Sequence, residues 1–536
     1  MEQGLVDTSQ ITGAIIDQRY HGNNVSPTEN RRKLKRVGVA KTLGLPVFDN
    51  RWYTDIMFRF MTHVRVRQWL LASFLIQIAG LFSIQSATPS RPVKPNFIVI
   101  FCDDLGYGDI GPFGSKANRT PHLDRMAEEG LRLTSFYVTC SVCTPSRSSL
   151  MTGCYSQRVD MHVNDRNLCV LFPGDKKGLN PSERTIAEVL KNQGYATACI
   201  GKWHMGDQPE FLPTRQGFDT YFGIPYSNDM TGRKDGSRPP LPLMRNERVI
   251  EAPVDQTRLT ERYTQEAIRF IQQHQRDPFF IYLPHTFPHV PLFAGAQHKG
   301  TSKNGLYGDV IEELDTSTGA ILNTLRKLGI DRRTMVIFTS DNGATGGKGR
   351  SNGPLRGTKG TTWDGGMREP FVAWWPGQIP SSSTSDALTS TIDLLPTLAH
   401  LADADIPSDH TLDGLNIWPI LNHPAQATSP HDYFYYYQMQ QLQALRDKRW
   451  KLHLPLVPKL RNWGKPEVES PLMLFDLQAD IAESNNVANK HPNIVERMLK
   501  QAQLIRHELG DIDIPARGRR ASGWNNNPEF LRMGKR

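Results

Sequence analysis

Five consecutive residues, Cys143-Thr144-Pro145-Ser146-Arg147, combine a thiol, a helix-starting proline and a guanidinium. Pro145 suits the first position of a helix, where a missing N–H is no loss. Free N–H groups at a helix start attract anions and lower the pKa of a nearby thiol. Arg147 adds a permanent planar cation able to hold an oxyanion through two hydrogen bonds. The set reads as a nucleophile facing an anionic substrate. Its alternative is an unreactive buried cysteine ahead of an ordinary helix.

Two carboxylate-rich dipeptides, Asp103-Asp104 and Asp341-Asn342, offer hard oxygen donors without a thiolate or His-x-His cluster. Such donors suit Ca2+, or Mg2+, better than zinc; either dipeptide alone would be an ordinary turn or cap. Gly201-Lys202-Trp203-His204 sets a lysine and a histidine two residues apart, on one face of extended backbone. His285 and His289 follow another apolar run. Histidine can hand a proton to a departing alcohol near neutral pH; for His285 the plainer role is a structural hydrogen bond. The Gly-rich stretch 355–366, with Lys359 inside it, lets backbone approach a ligand closely or is a surface loop. Ser227 stands in a loop, where serine ordinarily caps a turn.

The elements that must position these groups share a grammar. Apolar runs at 97–102, 196–200, 279–283 and 335–339 each end in polar, chemistry-capable residues. Helical patterns at 120–131, capped by Thr120, and at 181–192, 260–275 and 307–328 separate most of them. That alternation predicts an α/β fold with a large, mostly parallel sheet flanked by helices. In open α/β sheets the site lies beyond the carboxyl ends of the strands. Asp103, Asp104, Lys202, His204, His289, Asp341 and Asn342 should therefore gather along one edge.

The pentapeptide Cys-Thr-Pro-Ser-Arg resembles the C-x-P-S-R signature of the type I, formylglycine-dependent sulfatases. The resemblance runs from about Pro95 into the C-terminal region and is closest to the arylsulfatase A-like branch. Gly-Lys-Trp-His matches a second motif of that family, and the stretch 355–366 is similar to its G-x-x-K-G-T-x-x-x-G-G segment, whose lysine falls at Lys359. The resemblance implies an alkaline phosphatase-like fold and the hydrolysis of sulfate esters. It implies that a maturation enzyme oxidises Cys143 to formylglycine, whose hydrated aldehyde attacks sulfur. One divalent ion, usually calcium, would sit at Asp103, Asp104, Asp341 and Asn342 and touch residue 143 and the sulfate. Arg147, Lys202 and Lys359 would bind or neutralise the sulfate, and Ser227 would contact it. His289 would protonate the leaving alcohol, and His204 would act on the formylglycine hydroxyl. The chain departs from the family at Met151-Thr152-Gly153-Cys154, where L-T-G-R is common. Other readings are a phosphatase or phosphonate monoester hydrolase of the same superfold, or a non-catalytic binder of sulfated polymers if Cys143 stays unmodified.

A chain of 536 residues is long for one core, and 38% hydrophobic content is ample for folded domains. The net charge of +9 is modest, and no dense basic tract with interleaved aromatics points to nucleic acid. It is compatible with a sulfate-ester small molecule or sulfated carbohydrate as partner; oligomeric state stays open. Residues 1–60 are expected to be a disordered or mis-assigned extension. Basic residues and an apolar run within 61–87 read as a signal-like export segment, the alternative being a short signal anchor. A catalytic domain is expected over 95–430, a smaller α+β domain with an antiparallel sheet over 431–515, and a loose basic tail over 516–536. All six cysteines fall between Cys102 and Cys199, and their pairing is not readable.

Overall fold

A computed structural model describes residues 94–534, except 233–234, 236–237, 407–409, 457–460, 463–464 and 467–468. The expected N-terminal extension and export segment lie outside the described residues. Strand β1 (Asn96–Cys102) leads through helix α1 (Pro121–Glu128) to β2 (Leu131–Tyr137) and then to helix α2 (Cys143–Thr152). Helix α3 (Ile186–Lys191) precedes β3 (Ala196–Ile200), β4 (Thr220–Gly223), β5 (Leu243–Arg245) and β6 (Arg248–Glu251). Then come α4 (Leu259–Gln273), β7 (Phe279–Pro284), α5 (Gly305–Lys327), β8 (Thr334–Ser340) and β9 (Arg368–Trp374). Strands β10 (Ser383–Ser385) and β11 (Thr389–Ser390) and helix α6 (Leu394–Leu401) complete the large layer.

These strands form one eleven-stranded sheet in the order β10-β2-β9-β8-β1-β7-β3-β4-β5-β6, with β11 beside β2. Its five central strands, β8, β1, β7, β3 and β4, run parallel; β9 is antiparallel to both neighbours. Every residue of β1 is buried because helices cover both faces. Ile98 and Ile100 pack with Leu123 of α1, Ile271 of α4 and Leu314 of α5. Phe97, Val99 and Phe101 face the other way, onto Leu150 of α2, Leu190 of α3 and Leu398 of α6. Each such side chain contributes roughly 1.5–3 kcal/mol through burial.

The second layer is a four-stranded antiparallel sheet of β12 (Phe434–Gln438), β13 (Gln441–Arg446), β14 (Trp450–His453) and β15 (Met473–Asp476). Helix α7 (Pro492–Leu509) packs Met498 and Ala502 on it, in a cluster that also takes in Tyr137 and Tyr155 of the large layer.

Several local expectations need correction. Helix α2 starts at Cys143 itself, so Pro145 stands at its third position rather than its first. Its absent N–H still falls among the four unbonded donors of a helix start. Helix α3 starts at Ile186 because Thr185 and Glu188 close a reciprocal capping box, leaving 181–184 in a turn. Thr120 occupies the cap position of α1, but its hydroxyl accepts from the Gly111 N–H instead of capping.

Residues 516–534 are not a loose tail. Gly523–Trp524 pairs with Lys177–Gly178, and Arg520 bonds both oxygens of buried Glu183 at 2.8 Å. Arg520 Nη2 also lies 3.4 Å from Cys154 Sγ. A guanidinium from the C-terminal segment thus stands beside the position where the resembled family commonly has arginine. Removing it leaves the Glu183 carboxylate buried and unpaired. Arg520→Ala is expected to lower unfolding free energy by about 2 kcal/mol, a buried-pair value discounted for the partial exposure of Arg520. Adding Cys154→Arg should restore at least half, as read in a denaturant titration of both variants.

Candidate active site

Four of the five central strands lead into polar, chemistry-capable residues at the same edge. Asp103 and Asp104 follow β1, Gly201-Lys202 follows β3, His285 to His289 follows β7, and Asp341-Asn342 follows β8. Gly201 has φ 137°, and a Cβ there would lie 1.8 Å from the Pro284 carbonyl oxygen. Only glycine lets the Lys202 N–H reach that carbonyl, at 2.8 Å. Asp104 and His204 both hold left-handed backbone, at φ 66° and 59°. Such strain concentrates where a fold fixes functional side chains.

Cys143 Sγ lies 3.4 Å from Asp103 Oδ1 and 3.6 Å from Lys359 Nζ. Lys202 Nζ bonds Asp103 and reaches Ser227 Oγ at 3.3 Å. Arg147 Nη2 bonds Asp341 Oδ2 at 2.7 Å and lies 3.6 Å from Asp103. Lys359 Nζ bonds Asp104 Oδ1 at 2.6 Å, and Asn342 Nδ2 bonds the same oxygen at 2.8 Å. Three cations and three carboxylates thus interlock around residue 143, all buried.

Their protonation follows from this packing. Burial works against the Asp103 charge, yet Lys202, His289 and Arg147 together hold its pKa well below the ordinary value. Burial opposes the Lys202 ammonium too, and Asp103 outweighs it, raising its pKa. The thiol runs against expectation. Burial first, then Asp103, push the Cys143 pKa well above that of free cysteine, with Lys202 and Lys359 opposing. The helix start does not make a thiolate here, because burial, and then the carboxylate in contact, favour the neutral form.

His289 Nδ1 faces Asn228 Oδ1 at 3.0 Å and the Val290 carbonyl. Two acceptors place its proton on Nδ1 and leave Nε2, 3.9 Å from Asp104, as the basic face. His204 Nε2 bonds the Leu171 carbonyl at 2.9 Å, while its buried Nδ1 has no protein partner. His285 stands apart. It is fully buried beside Tyr263, neither ring nitrogen meets a protein partner, and burial lowers its pKa to about 3. The structural hydrogen bond expected for it is not formed.

Among the described residues, Asp103, Asp104, Cys143 and His289 form a metal-capable group with ligand atoms within 4.8 Å of one another. Asn342 Oδ1 adjoins this group, buried and without a hydrogen-bond partner. An orphaned buried oxygen beside three carboxylates fits a hard divalent cation.

A protein-family model described as Sulfatase matches residues 95–404, more than half of the chain. The chain belongs to the sulfatase family. A second model, N-sulphoglucosamine sulphohydrolase C-terminal, matches residues 358–508. Arylsulfatase A of Homo sapiens is 38% identical over 461 residues, spanning 78% of this chain and 89% of that protein. N-acetylgalactosamine-6-sulfatase of Mus musculus is 39% identical over 381 residues, spanning 68% and 72%. Among solved structures, Ps i-CgsB in complex with k-i-k-neocarrahexaose superposes with a TM-score of 0.67 at 28% identity, covering 77% of this chain and 92% of that one. The protein is accordingly a sulfuric ester hydrolase. No described helix of this sulfatase is long and apolar enough to cross a membrane.

Sequence reasoning missed Asn228, although it adjoins Ser227. It also missed a buried charge cluster that braces the Lys359 loop of the sulfatase. Lys451 Nζ bonds Asp364 Oδ1 at 2.7 Å, Glu483 Oε1 at 2.8 Å and the Thr362 carbonyl at 3.0 Å. Glu483 also accepts from the Asp364 N–H at 2.8 Å and meets His453 Nε2 at 2.9 Å. Burial opposes the Asp364 charge, and Lys451 then Arg368 hold its pKa below the usual range. Within the loop, the Gly360 N–H reaches the Ser141 carbonyl at 3.0 Å, tying it to the approach to Cys143. Lys451→Met would leave two carboxylates buried without their shared cation. A loss of about 3–5 kcal/mol is expected in denaturant unfolding, with a raised KM for sulfate esters in whatever remains folded.

Proposed function

We propose that this sulfatase acts on sulfated carbohydrates, using formylglycine made from Cys143 and one divalent cation held by Asp103, Asp104, Asp341 and Asn342. Ca2+ is preferred to Mg2+, since six or more oxygen donors in a flexible set suit the larger ion. The observation that carries the reading is the ring of Arg147, Lys202 and Lys359 around a residue 143 whose thiol is kept neutral. A neutral thiol is a poor nucleophile, whereas three buried cations suit a transferring sulfuryl group.

The cation, when bound, would supply Lewis-acid polarisation of a sulfate oxygen. The hydrated aldehyde at residue 143 would supply an oxygen that attacks sulfur and a second hydroxyl that provides the exit route. Arg147, Lys202 and Lys359 hold the sulfate oxygens and offset the charge that builds up on them, and Ser227 orients the Lys202 ammonium. His289, its Nδ1–H held by Asn228, takes up at Nε2 the proton that the attacking hydroxyl gives up and passes it to the departing alcohol. His204, its Nε2 fixed on Leu171, offers Nδ1 to take the proton of the remaining hydroxyl as sulfate leaves. The net change is addition of water across the S–O ester bond, giving alcohol and sulfate.

Support for a carbohydrate substrate comes from the oligosaccharide complex of the solved neighbour and from N-acetylgalactosamine-6-sulfatase among the relatives. The reading further assigns a catalytic domain to 95–430, a C-terminal domain to 431–515, export to segment 61–87, and a formylglycine-generating enzyme as maturation partner. Mass spectrometry of the peptide containing residue 143, from a host with that enzyme, tests the nucleophile. Formylglycine together with hydrolysis of sulfate in preference to phosphate esters of one aryl alcohol is the expected result. Unmodified cysteine in preparations that turn over sulfate esters would sink the mechanism.

A further inference from the structure

Two segments that leave the site carry charge of one sign. Residues 289–305 run out from His289, and residues 343–360 run from Asn342 past Lys359. A third stretch, 111–119, meets them at Asn304. Together the three hold five lysines, three arginines and no Asp or Glu. Part of that charge is committed. Lys359 belongs to the site, and Arg119 pairs with Glu312 at 2.6 Å. Arg356 donates to the Glu483 carbonyl at 2.8 Å, and Arg350 acts on buried Asp109. Lys116, Lys299, Lys303 and Lys348 are left. All four are exposed, and their side chains make no ion pair or hydrogen bond among the described residues.

The backbones that carry these lysines are tied together. Asn304 Nδ2, next to Lys303, donates to Asn118 Oδ1 at 2.8 Å and to the Gly349 carbonyl at 2.8 Å. Gly349 follows Lys348, and Asn118 is two residues from Lys116. Beneath this junction, buried Asp109 takes the Ser351 N–H at 2.8 Å and the Tyr307 hydroxyl, and its carbonyl takes Asn118 Nδ2 at 2.8 Å. Buried Asp309 spends its oxygens on the Gly300 N–H at 2.7 Å and the Ser302 N–H at 2.8 Å, which fixes the loop after Lys299. The rim is anchored at the site, since the Lys359 N–H donates to the Ala344 carbonyl at 3.1 Å. Exposed ammonium groups held near one another without a carboxylate between them make a field that a polyanion neutralises. Their flexible stems suit anionic groups of varied spacing, where a guanidinium fork would demand one geometry.

We propose that Lys116, Lys299, Lys303 and Lys348 form a docking rim for a sulfated polysaccharide chain, which presents its scissile sulfate to the site beside them. The inference rests on the sulfatase reading and adds that the sulfate arrives on a polymer. The probe is fluorescein-labelled dextran sulfate, with binding to the full-length mature enzyme read by anisotropy. Turnover of 4-nitrophenyl sulfate by the wild type tests the parent reading by itself. Lys303→Gln with Lys348→Gln is expected to weaken dextran sulfate binding about tenfold at about 50 mM salt, and the difference should close at about 500 mM. The same pair should leave kcat/KM for 4-nitrophenyl sulfate at the wild-type value. Lys303→Arg with Lys348→Arg should retain binding. Lys490→Gln with Lys500→Gln removes the same formal charge at α7, and binding should stay within about twofold of wild type. Equal losses in the two Gln pairs, or no loss in either, would overturn the proposal. So would absence of wild-type binding, or tighter binding of double-stranded DNA than of dextran sulfate, which would assign the rim to nucleic acid.

Discussion

Cys143→Ala is expected to abolish turnover of sulfate esters, by about 10^4-fold or more, while the protein stays folded. Residue 143 supplies the attacking oxygen in the proposed reaction, and loss of a covalent nucleophile is the largest single deletion an active site shows. The side chain is small and 2% exposed, so truncation leaves a cavity of about one atom and costs about 1 kcal/mol. Stability and activity therefore separate cleanly. Cys143→Ser adds a sharper test. Serine keeps a hydroxyl among the same cations but lacks the second hydroxyl that releases sulfate. It should accumulate a sulfated protein, visible as a stoichiometric mass increase without steady turnover. Sustained turnover by either variant would remove formylglycine from the mechanism.

His289→Ala is expected to depend on the leaving group. With an alkyl or sugar sulfate the departing alkoxide needs a proton, and loss of about 10^3-fold in kcat/KM follows from removing a positioned general acid. With 4-nitrophenyl sulfate the departing phenolate is stable alone, and the loss should shrink to about tenfold. Asn228→Ala offers a graded version, since Asn228 Oδ1 lies 3.0 Å from His289 Nδ1 and holds the ring rather than the substrate. It should lower kcat on sugar sulfates with little change in KM. A loss in His289→Ala that is the same for both leaving groups would assign His289 to binding instead of proton transfer.

The positions of Cys143, His289 and their companions were legible because the signals are local. An apolar run long enough to cross a sheet buried on both faces must end at the sheet edge, and Asp103, Lys202 and Asp341 stand at those ends. A topology with parallel neighbours then brings those ends together. Motif spacing marked Lys359 and Ser227 in the same local way. The α/β class followed from the same alternation of apolar runs and helical patterns.

What required the tertiary structure involves partners far apart in sequence or the net result of opposing fields. Asn228 and His289 are 61 residues apart, and Cys154 and Arg520 are 366 apart. No periodicity links such positions, so neither the ring holder nor the arginine at Glu183 could be read from the chain. The Lys451 cluster is hidden for the same reason. The Cys143 thiol is the clearest case. A helix start and nearby cations argue locally for a thiolate, and only the packed site shows burial and Asp103 outweighing them. Sequence by itself determined which groups arrive at the strand ends, because hydrophobic burial is read residue by residue. Their charge states and their supports were decided by the tertiary structure, because electrostatics sums over every neighbour that folding brings near.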